Sequence, residues 1–322
     1  MTIAKRYGKR PREACDLVHR SKLIVDVHLP PLPYQDWEPT KTTLHLWCQI
    51  IGKIRLATTQ HRNHWWNVTL RPTARGLIAE RMLAGDAFFD IELDLIDHRT
   101  IVRTNKAHEP AYVDLRQGLS VANFHAALFH ALHGFGINVT ILGKPYGVPM
   151  TTPFAHDHDH RAYDRVMVRR WWEIVMWTSE VFDEFAAGFA GKQSVPQLFW
   201  HSFDLALARF SGRPAAGPPK PDPVAQDAYS HEVIAFGFWA GDANVPAPTY
   251  YTYTAPEPAT LTSFALQPSE AGWHPAGAGH LGQLPYDAVR EAKDPRATLL
   301  AFLRSGYEAG TRAAHWEGVN AT

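Results

Sequence analysis

Phe88-Phe89-Asp90-Ile91-Glu92-Leu93-Asp94-Leu95 decides the fold class. Phe89, Ile91, Leu93 and Leu95 alternate with Asp90, Glu92 and Asp94. Successive strand residues point to opposite faces, so one face is apolar and the other charged. A strand with one wet face belongs to an antiparallel sheet, because strands of a parallel sheet are covered on both sides. Asp97-His98 follows as a turn, and residues 99–103 supply the partner strand. Arg99 and Arg103 then stand where they can pair across with the carboxylates. The acidic row has metal-ligand chemistry, but a solvated sheet face is the simpler reading.

Working outward, Leu29-Pro30-Pro31-Leu32-Pro33-Tyr34 is a stiff lead-in, since proline fixes its own torsion and biases its predecessor away from helix. Residues 40–57 read as a helix capped by Thr40, with Leu44, Trp47, Cys48 and Ile51 at helical spacing. Residues 64–71 alternate like a strand. Residues 120–135 form an amphipathic helix with Ser120 as cap. Residues 137–142 read as a short strand, and 164–190 as a long helix capped by Asp164 and ending near Gly191. Residues 198–209, 231–239 and 249–254 read as strands, 214–223 as a proline-rich linker loop and 259–283 as irregular. Residues 287–316 are helical with a break at Asp294-Pro295.

The class is α+β: antiparallel sheets packed by helices. Residues 1–28 are an N-terminal extension, 29–150 a first α/β half and 151–318 a second half of the same compact unit. Both halves run from a helix through a Trp-led stretch to further strands and a helix, an order that an internal repeat would produce, although identity between the halves is too low to prove duplication. A cleft between the halves is then the natural ligand site.

Composition narrows the function. Lys+Arg and Asp+Glu are both 32, and no basic run stands out, which argues against a nucleic-acid binder. No apolar stretch reaches the roughly 20 residues that span a bilayer, and no apolar run follows the basic start as in a secretory signal. Two cysteines, Cys15 and Cys48, are too few for a disulfide framework. The expected compartment is the cytoplasm. No Walker loop, Rossmann fingerprint, His-Glu-x-x-His or Gly-x-Ser-x-Gly is present, so no nucleotide cofactor is expected.

The candidate site residues sit on aromatic-rich strands. Asp204, in Phe199-Trp200-His201-Ser202-Phe203-Asp204, is an acid in apolar company and needs a partner such as Arg209 or Arg213. His231 and Glu232 open another apolar strand, and Glu232 there would have a raised pKa unless it meets a cation. His231, Asp204 and Glu232 are the catalytic candidates. Trp66, Trp200, Tyr251 and Tyr253 are candidate walls for a substrate, with Arg209, Arg213 and Glu257 as polar contacts. A divalent metal, zinc or iron, is a candidate cofactor, held by His64, His231 and one carboxylate from Asp204, Glu232 or Glu257. The favoured working pair is His231 with Asp204. His156-Asp157-His158-Asp159-His160 also carries ligand-type side chains, although a solvated loop explains it as well.

Asn63-His64-Trp65-Trp66, Thr73-Ala74-Arg75-Gly76, Ile96-Asp97-His98-Arg99, Ser202-Phe203-Asp204-Leu205-Ala206, Arg209-Phe210-Ser211-Gly212-Arg213, Tyr229-Ser230-His231-Glu232 and Pro256-Glu257-Pro258 together resemble a bacterial family, domain of unknown function 5996. The resemblance spans about residues 32–316. It implies one family-length unit and transfers no catalytic residue. His201 departs from the small residue expected there, and the His156–His160 tract is richer in histidine than the family's acidic loop.

The reading is an enzyme that applies acid–base or metal-assisted chemistry to a small polar organic substrate in an aromatic-lined pocket. A non-catalytic ligand-binding or sensor protein uses the same pocket. A structural or assembly protein would use these polar groups as buried ion pairs.

Overall fold

The computed structural model describes residues 29–217 and 222–316. The expected extension over residues 1–28, with Cys15, and positions 317–318 lie outside the described residues, as does part of the proline-rich loop. Pro30, Pro31 and Pro33 keep the lead-in extended, and α1 (Tyr34–Thr58) starts directly after Pro33. Thr40 is therefore inside the helix and not its cap. Its hydroxyl instead accepts from the Asp164 amide at 3.0 Å, joining α1 to the start of α3 (Arg165–Ala187).

The expected strand at residues 64–71 does not form. A 3-10 turn at Asn63–Trp65 takes its place, and His64 and Trp65 hold left-handed φ values of 61° and 59°. An extended strand cannot pass through two such residues. The chain then enters β1 (Arg71–Thr73), β2 (Gly76–Ala84), β3 (Ala87–Asp94), β4 (Arg99–Thr104) and β5 (Ala111–Asp114), paired in that order as an antiparallel meander. Ile91 pairs with Ala79 and Val102, and all three are buried. On the other face Arg103 donates to Glu92 at 2.7 Å and Arg75 to Asp94 at 2.8 Å. The charged face read from the sequence is thus laced with ion pairs, and guanidinium groups cover the inner carboxylates.

Ser120 caps α2 (Val121–Gly134) by accepting from the Asn123 amide at 3.1 Å. Val121, Phe124, Leu128 and Leu132 form its buried stripe. Residues 137–142, expected as a strand, pair with nothing and run as irregular chain.

The second half repeats the order of helix, antiparallel sheet and helix. After α3, capped by the Asp164 carboxylate, come β6 (Gln197–Phe199), β7 (Asp204–Pro214), α4 (Pro223–Ala228), β8 (His231–Trp239), β9 (Thr249–Ala255), β10 (Gly272–Ala276), β11 (Gly279–Pro285), α5 (Tyr286–Arg290) and α6 (Pro295–Ala313). The sheet order is β10-β11-β9-β8-β7-β6. The single strand expected at 198–209 is a hairpin. Residues 200–203 turn the chain, with Phe203 at φ 60°, so that Phe199 pairs with Asp204. The β10–β11 hairpin lies in the stretch expected to be irregular. Phe236 meets Phe185 of α3 at 5.0 Å between ring centroids, so α3 covers the Ile234/Phe236 face of this sheet. Among the described residues no helix is long and apolar enough to cross a membrane.

The dock of α2 gives a direct stability test. Leu128→Ala is expected to lower unfolding free energy by roughly 2–5 kcal/mol, as a buried leucine truncation does. Ser120→Ala removes a cap and is expected to lower it by about 1 kcal/mol. Urea unfolding of both variants checks the ranking.

Candidate functional site

The face of the second sheet turned away from α3 and α6 carries unusually small side chains. Ala206 and Ala208 of β7 and Ala235 of β8 form a floor, and α1 and residues 140–150 roof it. Between them lies a cavity of about 900 Å³, within the range of small-molecule sites. Trp66, Phe210, Trp200, Trp239, Tyr251 and Tyr253 are among its walls.

Asp204 stands at the start of β7, on the floor side and buried. Its carboxylate accepts from the Ser202 and Tyr251 hydroxyls. Tyr251 reaches it by lying flat across β8 at Gly237. A Cβ on Gly237 would come within 2.3 Å of the Tyr251 ring, so only glycine leaves the path open. Tyr253 stacks on Tyr251 at 6.1 Å and 13° between planes, and its hydroxyl lies 3.4 Å from that of Tyr229. Burial pushes both Tyr251 and Tyr253 well above the usual phenol range, and the Asp204 charge adds to it. Both are therefore neutral near pH 7, and Tyr251 donates to Asp204.

The roof presents Lys41, His45 and Lys53 to the cavity, and Gln49 lies on the same side of α1, one residue from each successive turn. Gln49 donates to the Tyr146 carbonyl and accepts from the Tyr146 amide, both at 2.9 Å, which pins the overhanging loop. His45 Nε2 lies 2.9 Å from the Trp200 carbonyl and 3.2 Å from that of His201, which assigns its proton to Nε2. Burial, then the Lys41 charge, pushes His45 down to about 3. The Lys53 ammonium lies over Trp200 at 5.7 Å and over Phe154 at 5.9 Å. Trp200 packs so closely on α1 that a Cβ on Gly52 would fall 2.1 Å from its ring.

His201 is the residue that strand periodicity misplaces. Alternation sends it to the face opposite Trp200, Ser202 and Asp204. Because residues 200–203 form a turn, all four line the cavity. The His201 ring has no hydrogen-bond partner among the described residues; it contacts the rings of Tyr146, Phe199 and Trp200. Burial lowers its pKa, and the Asp204 charge opposes that shift.

Of the residues expected from sequence, Asp204, Trp66, Trp200, Tyr251, Tyr253 and His64 line this cavity. The others do not join them. Asp204 pairs in register with Trp239 and His231 with Pro214, at opposite ends of β8. The strand rise separates the two by about 26 Å, so the working pair His231–Asp204 is corrected. Glu232 faces the other side of the sheet from Asp204. It accepts from Ser211 at 2.9 Å and from Arg213 at 2.8 Å. Arg213 also donates to the Ala314 and His315 carbonyls, a cation placed at the C-terminus of α6. Arg209 points away from Asp204 as well. It is buried among the rings of Phe185, Phe189 and Tyr307, and burial pushes its guanidinium down to about 10. Glu257 is exposed and holds His280 at 2.7 Å.

The expected metal centre does not fit these residues. His64 and His231 are neighbours, with ring centroids 5.6 Å apart. However, His64 Nδ1 donates to the Asp227 carbonyl at 3.1 Å, and Lys192 donates to its Nε2 at 2.8 Å. Neither nitrogen has a lone pair left, and the adjacent ammonium would repel a cation. Among the described residues no three His, Cys, Asp or Glu side chains gather as a metal site. The His156–His160 tract is a cap. Its Asp157 carboxylate accepts from the His160 amide and ring, and the Asp157 and His160 carbonyls accept from the Ala122 and Val121 amides of α2.

An α+β architecture with a roofed cavity on one antiparallel sheet defines the structural class. Residues 29–321 match the model of the family of unknown function DUF5996, and the chain belongs to that family. No curated protein and no solved structure matches the chain.

Two tests follow from this geometry. Gly237→Ala is expected to push Tyr251 off Asp204 and to destabilise the fold by roughly 1–3 kcal/mol, as overpacking does; thermal unfolding and the Tyr251 position check it. His45 has a folded pKa far below its unfolded value, so its stabilisation is present above pH 6.5 and lost as pH falls towards 3. From pH 6.5 to pH 4 wild type is expected to lose about 3 kcal/mol through this group. His45→Gln should show a correspondingly flatter acid limb in unfolding measured against pH.

Proposed function

We propose that the chain is an enzyme that applies acid–base chemistry to a small polar organic molecule held between α1 and the β6–β11 sheet. The observation that carries this reading is His201. An imidazole without a hydrogen-bond partner, kept neutral by burial, faces the cavity from the turn that also delivers Asp204. A neutral imidazole in such a place accepts a proton from a bound molecule near pH 7. The Asp204 charge then favours the imidazolium that forms. The Ser202 and Tyr251 hydroxyls hold that carboxylate in one place, so it need not reorganise when the charge appears. Aromatic walls supply apolar contact for the rest of the molecule. A nucleotide cofactor has no part in this reading, because the sequence lacks a glycine-rich phosphate loop. Cytoplasmic residence accords with the buried free thiol of Cys48.

The test is turnover in a complex metabolite mixture followed by mass spectrometry. Wild-type protein is expected to deplete at least one small molecule. His201→Gln should still bind it while turnover falls roughly 10²–10⁴-fold, the usual worth of a general base. A wild-type protein that retains a molecule without converting it would be a binding or sensor protein instead.

A further inference from the structure

Lys53 is a cation in an apolar place. Its residue surface is only 6% exposed, and no carboxylate of the described residues pairs with it. Burial alone accounts for its lowered pKa, with no acid opposing the shift. The other cavity lysine differs: the Asp242 and Glu38 charges act on Lys41. Lys192, at the far end near Trp66 and Phe210, already donates to His64. Arg55, two residues along α1, donates to the Glu80 carbonyl. Among the described residues Lys53 is therefore the cavity cation with neither a hydrogen-bond partner nor an acidic charge acting on it.

An enclosed cation without an anion is costly. The Trp200 and Phe154 rings offset part of that cost through cation–π attraction. They offer no hydrogen-bond acceptor to the three N–H groups of the ammonium. The nitrogen is not sealed off, since it is absent from the fully enclosed polar atoms that lack a partner, and the side chain lines the cavity. The surroundings are flat rings, above all Trp200, which touches both Lys53 and the turn bearing His201.

We infer that Lys53 anchors the anionic group of the cavity's ligand, and that the ligand class is an organic monoanion, a carboxylate or sulfonate on a flat apolar body. The inference rests on the proposal that a small molecule occupies this cavity. The anion meets the ammonium beside Trp200, its apolar body lies along the aromatic walls, and its other end points to His201 and Asp204. Asp204 adds direction, because its own charge repels the anionic end and so orients the molecule towards Lys53.

Matched probes test this: 2-naphthoate and the neutral 2-naphthamide, titrated by calorimetry into the full chain. Wild type is expected to bind naphthoate roughly tenfold or more tightly than the amide, as a charge-assisted hydrogen bond provides. Lys53→Met keeps the apolar stem volume, so it should remove the preference while amide affinity stays within roughly threefold. Lys53→Arg should retain the preference. Equal binding of the two probes by wild type, or a preference that survives Lys53→Met, would overturn the Lys53 assignment and leave the cavity reading standing. Failure of both probes to bind wild type would overturn the cavity reading and the inference together.

Discussion

From Thr43 to Arg55 every residue of α1 is buried, around the whole circumference of the helix. A helix enclosed in this way is normally apolar all round, yet this stretch holds Thr43, His45, Gln49, Lys53 and Arg55. Each polar group must find a partner inside the protein or remain at a penalty. Thr43 donates to the Pro39 carbonyl, His45 to the Trp200 carbonyl, and Arg55 to the Glu80 carbonyl. Gln49 exchanges two bonds with Tyr146. These bonds reach the 200–203 turn, the loop over the cavity and the β2 strand. α1 thereby fixes three separate segments at once, and the cavity walls are held by hydrogen bonds from its roof.

The two halves share an order of elements but use their sheets differently. In the first, the outer face of β3 and β4 carries Glu92, Asp94 and Arg103, tied into ion pairs. In the second, the corresponding face carries Ala206, Ala208, Ala235 and Gly237. Small apolar residues in place of charges cannot face water over so large an area without a cover, and α1 supplies it. They also leave the volume that larger side chains would fill. Small residues on this face therefore create both the need for a roof and the space beneath it.

Much of this fold was legible in local sequence. The alternation at residues 88–95 gave β3, and the turn at Asp97-His98 gave β4. Ser120 and Asp164 marked the starts of α2 and α3 because a capping side chain bonds an amide only two or three residues away. β10 and β11 were not legible, since Gly272, Gly277, Gly279 and Gly282 leave no alternation to read. The candidate site was legible in part. Asp204, Trp200, Tyr251 and Tyr253 were flagged as a buried acid among aromatics, and these four share the cavity. The partners were not legible. Whether Asp204 meets Arg209 or Tyr251 depends on sheet register and on Gly237, which are long-range facts. His201 was lost because a left-handed Phe203 broke the period of two, and the sequence around it has no glycine to announce such a turn.

A polar residue in an apolar strand is therefore a weak sign of function until its bonds are known. Glu232 and Asp204 look alike in sequence, each an acid at the start of an aromatic strand. Glu232 is consumed by Arg213, which in turn holds two carbonyls at the end of α6, and nothing of that set faces the cavity. His64 is consumed at both nitrogens. His201 and Lys53 differ from these because their hydrogen-bonding capacity is unspent and directed at open volume. Folding alone would favour replacing both by apolar residues of similar size, since neither side chain gains a hydrogen bond from the described residues to offset its desolvation. Their unspent donors and acceptors are what a ligand would complete, and both stand against the same indole, Trp200, at the junction of roof and floor.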